Sequence, residues 1–494
     1  MGPLAHDECR GSGALTESDP DVVVIGSGAG GAPTAALLAE AGLGVLVVEE
    51  GEHVRQGEVV PFSLEQMERQ YRAGGVTAAL GRPSIAYTEA CCIGGGSEIN
   101  SGLYRRPPED VLARWRTEHR IERFATDDLL AICDEVEREL DVQLLPAAPI
   151  AAGAALQRGA GRLGWDHDEI PRWMTYDGAN VASGRRQSMT ETYLPRAERA
   201  GARLLPGHRA ERIVVDGGRA TGVVLRDRSG VVTTVRTRAV FVCGGAIQTP
   251  ALLQRSGFRH RVGQALAVHP TVKLAARFGD EMNVPDDVPV HQVKEFAPDL
   301  SFGGSASNPG LIALALSDHW ARFGPAVEDW QHLAVYYAAI TSEGRGRVRA
   351  VPGLRDPIVT YRLTRRDRAL LGQGLARLAL VLLEAGATEV YPSYRGAPVV
   401  RGRKEIGAMR GGFSAAKAAV MTVHLCSTVP MGGDERWAAT DSFGRLHGTS
   451  NVHVNDASLL PDAPGVNPQA SVMAVAIRNA RHFLVTWERR GRAA

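Results

Sequence analysis

The chain has 494 residues, 44% of them hydrophobic and 22% charged, which supplies core for two to four domains of about 150 residues and excludes a disordered composition. Basic and acidic residues balance, 56 against 55, for a net charge of +1; this excludes a whole-chain electrostatic case for nucleic acid or an anionic membrane surface. Only four basic residues are lysines (Lys273, Lys294, Lys404 and Lys417), a skew that reads as codon bias without function.

Residues 1–17 form a polar, acidic tail without the apolar stretch of a secretory signal. No run of about 18 uncharged apolar residues predicts a transmembrane helix. The six cysteines, Cys9, Cys91, Cys92, Cys133, Cys243 and Cys426, have neither CxxC nor metal-ligand spacing. They read as free thiols of a reducing, cytoplasmic compartment, and no metal is expected.

From Asp21 the pattern becomes regular. A β-branched run leads into Gly26-Ser-Gly28-Ala-Gly-Gly31, followed by an Ala- and Leu-rich helical stretch, Ala32 to Ala41. Gly42 and Gly44 end that helix. Val45 to Val48 form a second strand closed by Glu49, 23 residues beyond Gly26. In this strand, G-x-G-x-x-G, helix, strand, acid unit, Gly26 permits the tight turn and Gly28 lets the backbone approach a pyrophosphate. Gly31 lets helix and strand pack closely. The helix N-terminus faces the phosphates, and Glu49 accepts from a ribose hydroxyl. An acid there argues against a 2′-phosphate, so NADP is set aside while NAD and FAD stay open.

Gly94-Gly-Gly96-Ser97-Glu98-Ile99-Asn100-Ser-Gly102 is a glycine run with an asparagine, a loop whose amides approach a flat ring edge while the side-chain amide donates. Asp127 to Leu140 carries Leu129, Leu130, Ile132, Cys133, Val136 and Leu140 at helical spacing. Ala239 to Cys243 predicts a strand, Gly244-Gly245 the turn after it, and Thr249-Pro250 a helix start with proline in its first position. His269 precedes Pro270. Gly279 to Asp287 is acidic and reads as a solvated surface loop, with attraction of a cationic substrate as the alternative. Val348 to Val351 and Ile358 to Arg362 alternate as strands do, and a helix runs from about Arg366 to Ala385, ended by Gly386.

The C-terminal segments are His424-Leu-Cys-Ser-Thr428-Val-Pro-Met431-Gly432, Gly444-Arg445-Leu-His447-Gly448, Asn451 to Ser458, and Gly465-Val-Asn467-Pro468-Gln469. In this order, the segments resemble the glucose–methanol–choline (GMC) family of FAD-dependent alcohol oxidoreductases, from about Asp21 to Phe483. The resemblance implies an α/β, Rossmann-like FAD-binding domain, discontinuous over 18–115, 195–270 and 420–494. It implies an α+β substrate domain with an antiparallel sheet from 116–194 and 271–419. FAD is the implied cofactor, contacted at Gly95, Ser97, Asn100, Gly102, Ala210, Gly245, Asp456, Ala457 and Pro468, beside Gly26, Gly28, Gly31 and Glu49. Some family members tether the flavin through a His just before the loop Asn; that position is Ile99, so non-covalent binding is expected. The family's active pair falls on His424 and Asn467, a His/Asn combination similar to that of cholesterol oxidases.

The chemistry needs these residue types. Oxidising an alcohol removes its hydroxyl proton and passes a hydride from carbon to flavin N5. A free imidazole titrates near 6.5, which suits His424 as base; Asn467 can hold and aim the oxygen but cannot take its proton. His447 reads as structural, as does His269, for which a place on the pocket wall is the alternative; His453 alternates with apolar residues on a likely strand and reads as exposed or as backing the site from behind. The expected reaction converts CH–OH to an aldehyde or ketone, with O2 or another electron acceptor. The expected partner is a small-molecule alcohol: a sugar, aminosugar, sterol or secondary-metabolite alcohol. The alternative readings are a hydroxynitrile-lyase-like member, which uses its flavin only structurally, and a flavoprotein without turnover.

Overall fold

The computed structural model describes residues 19–283 and 288–491; Cys9, the tail at 1–17 and positions 284–287 of the acidic stretch lie outside the described residues. All four side chains of the strand Val22–Ile25 are apolar and buried, the mark of a strand covered on both faces. It pairs in parallel with Val45–Val48 on one side and Ala239–Val242 on the other. Arg203–Leu205 and Val452–Val454 complete a five-stranded parallel sheet. The helix Gly31–Glu40 packs against Tyr193–Arg199 and the long helix Gln469–Gly491. Gly31 is a packing residue: a Cβ there would fall 2.0 Å from the carbonyl oxygen of Gly26.

The second layer is a mixed sheet, largely antiparallel. Its centre is Thr271–Arg277 beside Leu333–Ile340, Leu300–Gly304 and His291–Val293. Side chains alternate across it. Val272, Leu274, Tyr336 and Ala338 enter a core shared with the helix Arg365–Glu384, while Thr271, Lys273, Tyr337 and Ala339 face a cavity. That helix starts on a capping box between Thr364 and Asp367, one residue before the predicted start.

The two layers interleave along the chain. The helix Thr126–Glu139, from a stretch read with the substrate-side insertion, puts Leu129, Ile132, Cys133 and Val136 into the core of the parallel sheet. Conversely, Ile85–Tyr87 and Val420–Thr422, from stretches read with the FAD side, pair into the large sheet.

Two local expectations are corrected. The strand predicted at Val348 to Val351 runs instead from Arg345 to Arg349, paired with Ile358–Arg362. One of its inward positions is Gly346, which gives no hydrophobic signal yet sits where a Cβ would meet Thr360 O at 2.3 Å. The helix predicted to start at Thr249-Pro250 starts at Gly245 and keeps Pro250 in its interior. Proline has no N–H to give the carbonyl four residues back. That carbonyl, on Ala246, accepts instead from the hydroxyl of Thr428 at 2.7 Å. The helix N-terminus is held by a distant carboxylate, since Asp456 accepts from the amide of Gly245 at 2.8 Å and from the hydroxyl of Thr249.

Candidate active site

One cavity of about 550 Å³ runs from the C-terminal end of the parallel sheet to the exposed face of the large sheet. At the first end, Gly26 (φ +100°) turns the chain so tightly that a Cβ would lie 2.3 Å from Cys243 O. Gly30 is closed off likewise, 2.0 Å from Asn455 O, whereas a Cβ at Gly28 would meet nothing nearer than 3.7 Å. The turn Gly28–Gly30 ahead of this helix lines the cavity, and the helix has no acid in its first turn, so the positive end of its dipole favours an anion there. Glu49 accepts from the amides of Gly51 and Ser27 at 3.0 and 3.1 Å and from the Ser27 hydroxyl at 2.9 Å. Burial raises its pKa against the pull of those bonds. A carboxylate so held keeps lone pairs for a ribose hydroxyl. Bare glycine backbone, a helix N-terminus and an oriented acid together fit a dinucleotide.

Gly26, Gly28, Glu49, Gly95, Ser97, Asn100, Ala210, Gly245, Asp456, Ala457, Asn467, Pro468 and His424 all line this cavity; Gly31 and Gly102 do not. Gly102 (φ +72°) is a turn residue whose amide donates to Asn100 Oδ1 at 2.8 Å, so that glycine positions the loop from behind. Several expected contacts spend their polar groups inside the protein. Asn100 donates to Gln469 at 2.8 Å, Ser97 donates to Gly94 O at 2.8 Å, and Ala210 O accepts from Arg255 at 3.2 Å. Ser27, which sequence reasoning passed over as the variable position of the motif, ties Glu49 to the amide of Gly94.

The other end of the cavity is built by strand register. Ala267–Val268 pairs antiparallel with Leu425–Cys426, Val268 opposite Leu425, so the next residues outward, His269 and His424, face each other. Their Nδ1 atoms are 2.9 Å apart with the rings nearly perpendicular. The hydroxyl of Thr422 brackets the backbone of His424, accepting from its amide and donating to its carbonyl. Gly465 N–H donates to Nε2 of His269 at 3.0 Å. The donors assign the tautomers: His269 accepts at Nε2, carries its proton on Nδ1 and donates it to Nδ1 of His424. His424 then carries its own proton on Nε2, which has no protein partner among the described residues. Burial, then the charge of Lys294, holds His424 down at about 4. His269 is pushed well below the usual imidazole range by burial, then by His424 and Lys294.

Asn467 lines the same end, its side-chain amide without a hydrogen bond among the described residues. His447 and His453 lie off the cavity, His453 stacked on Phe241 at 4.9 Å between centroids. Asp280 and Glu281 are exposed and do not line it either, which removes the described part of the acidic loop as a cation-attracting wall. Lys273 and Lys294 do line it, and composition alone had passed over both. No helix among the described residues is long and apolar enough to cross a membrane. The five described cysteines are free thiols, Cys91 half-buried and the rest buried.

Comparison with known proteins agrees with this geometry. The model of the GMC oxidoreductase N-terminal region matches residues 67–271, and that of the C-terminal region matches 342–476. An uncharacterized GMC-type oxidoreductase of Sinorhizobium fredii is 40% identical over 478 residues, 94% of this chain and 95% of its own. A long-chain-alcohol oxidase of Arabidopsis thaliana is 26% identical over 92% of this chain and 66% of its own. Among solved structures, pyridoxine 4-oxidase from Mesorbium loti superposes with a TM-score of 0.70 over 94% of this chain and 99% of its own; at 19% identity this likeness speaks to the fold alone.

Proposed function

Since the chain belongs to the GMC oxidoreductase family, as an FAD-dependent oxidoreductase acting on CH–OH groups, we propose that it oxidises a small alcohol to an aldehyde or ketone with His424 as the base and Asn467 as its orienting partner. The observation that carries the reading is that the glycine-lined nucleotide cradle and the His424–Asn467 group share one cavity. Bound FAD supplies the hydride acceptor, and Ile99 leaves it without the tethering side chain some relatives use. The alcohol oxygen lies between the free Nε2 of His424 and the free amide of Asn467.

His424 stays neutral at physiological pH, because burial and Lys294 disfavour its cation. In the resting tautomer Nε2–H donates to the alcohol oxygen. To take a proton at Nε2, the histidine pair must carry its protons the other way round, with His424 donating from Nδ1 and His269 protonated on Nε2. That arrangement gives up the Gly465 bond to His269, a cost of about 1–3 kcal/mol for a buried donor left unpaired. The base form is therefore a minor one, reached when substrate binds.

Anaerobic mixing of the holoenzyme with a panel of alcohols tests the reading, and re-aeration then shows whether O2 accepts the electrons. A substrate should bleach the flavin. His424→Ala should slow bleaching on the order of 10²–10⁴-fold with normal FAD content. Asn467→Ala should slow it by misplacing the alcohol. Turnover with the flavin oxidised throughout would mark a lyase and overturn the proposal.

A further inference from the structure

Two of the chain's four lysines line the cavity, in a protein whose other basic residues are nearly all arginine. Lys273 projects from the strand Thr271–Arg277 on the face opposite the core, and its Nζ donates to Ser305 Oγ at 3.0 Å. Lys294 follows the strand His291–Val293 and makes no ion pair among the described residues. Burial lowers both ammonium groups to about 8; at Lys294 Arg105 adds to the effect and Asp168 opposes it. Arg105 is itself committed to Asp168 through a two-point ion pair, so that carboxylate offsets Lys294 only in part.

The carboxylates lining the cavity are all engaged elsewhere. Glu49 is held by Ser27 and Gly51, Glu50 and Glu89 by Arg72, and Asp456 by Gly245, Thr249 and Ser458. The wall around the lysines offers only neutral groups, namely Gln292, Ser301, Ser305, Tyr337 and Thr341, beside the histidine pair. A desolvated ammonium whose nearest carboxylate, Asp168, is already paired with Arg105 is costly to keep, and an anion entering the cavity beside Lys294 would relieve it.

We propose that the substrate is an alcohol bearing an oxyanion, a carboxylate or phosphate, which Lys294 holds while its hydroxyl lies at His424 and Asn467. The placement of the hydroxyl rests on the proposed alcohol oxidation; the anion site does not. Charge-assisted bonds of this kind favour the anion over its neutral isostere by about 10- to 100-fold.

The test is binding to the FAD-loaded enzyme, read as perturbation of the flavin spectrum. The probes are benzoate and inorganic phosphate against benzamide, and each is repeated with Lys273→Met and Lys294→Gln. Benzoate or phosphate should bind at least tenfold tighter than benzamide, the tighter of the two identifying the oxyanion. Lys294→Gln should shrink the gap with FAD content unchanged, whereas Lys273→Met, whose ammonium is held on Ser305 further along the sheet, should leave it. Equal affinity for the anions and benzamide overturns the proposal, as does a gap that survives Lys294→Gln. If either substitution impairs folding, the unsubstituted enzyme decides alone. Flavin that no alcohol bleaches would sink the oxidation reading while leaving the anion site to stand or fall on binding.

Discussion

Thr428→Val removes one hydroxyl and keeps the side chain's shape, which isolates the bond across the interior proline. Thr428 and Ala246 are both buried, at 0% and 5% exposure, so water cannot replace the lost donor at the Ala246 carbonyl. The cost should be about 1–3 kcal/mol, that of a buried acceptor left unpaired. The reasoning is specific to Pro250. With Pro250→Ala, the residue regains an N–H and the helix satisfies Ala246 from within. In that background the threonine substitution should cost less by about 1–2 kcal/mol. The assay is a double-mutant cycle on urea midpoints of the FAD-loaded protein, followed by tryptophan fluorescence. Melting temperature is the weaker probe: at about 2.1 cal per mol per kelvin per residue, 1 kcal/mol moves a chain of this length by only about 1 °C. Equal cost for Thr428→Val beside proline and beside alanine would show that the hydroxyl does not serve the freed carbonyl.

A neutral His424 with its pKa near 4 places the acid limb of flavin reduction near pH 4, not at the 6.5 of a free imidazole. Activity is lost as pH falls through that value, and Lys294→Gln should move the limb upward in a stopped-flow pH profile. Gly30→Ala puts a Cβ 2.0 Å from Asn455 O, backbone that cannot yield, and should give a protein that does not accumulate folded; Gly28→Ala should fold but retain little FAD on gel filtration. Acid denaturation of the holoenzyme should release all of its FAD into the supernatant, because Ile99 cannot form a tether; flavin left on the precipitate would refute this.

The nucleotide half of the molecule was legible because its signals are local. A turn that only glycine can make, an apolar run and a closing acid sit within one βαβ unit, and the structure keeps Val45–Val48 at the residues predicted. His269 was not legible as the partner of His424. The two meet through the register of two-residue strands 155 residues apart, and nothing near His269 distinguishes it from a structural histidine. The lysines were visible as a count and invisible as a place, since only the pleat of the Thr271–Arg277 strand turns Lys273 to the cavity. Pro250 failed for a similar reason. Its tolerated interior position depends on Thr428 and the helix start on Asp456, both supplied from more than 170 residues away.

The order of the parallel sheet also governs when the protein can finish folding. Its edge strand, Val452–Val454, comes more than 200 residues after its neighbour Ala239–Val242. Until that strand is made, Val240 and Val242 present an open sheet edge, a template for pairing with other chains. The Asp456 carboxylate that anchors Gly245 is then missing, as is the helix Gln469–Gly491 that covers Gly31–Glu40. The G-x-G-x-x-G turn emerges early yet waits for its supports, and closing loops of this length is slow. A nascent chain stalled before residue 452 should therefore depend on chaperones and be unable to retain the cofactor, however complete its first βαβ unit.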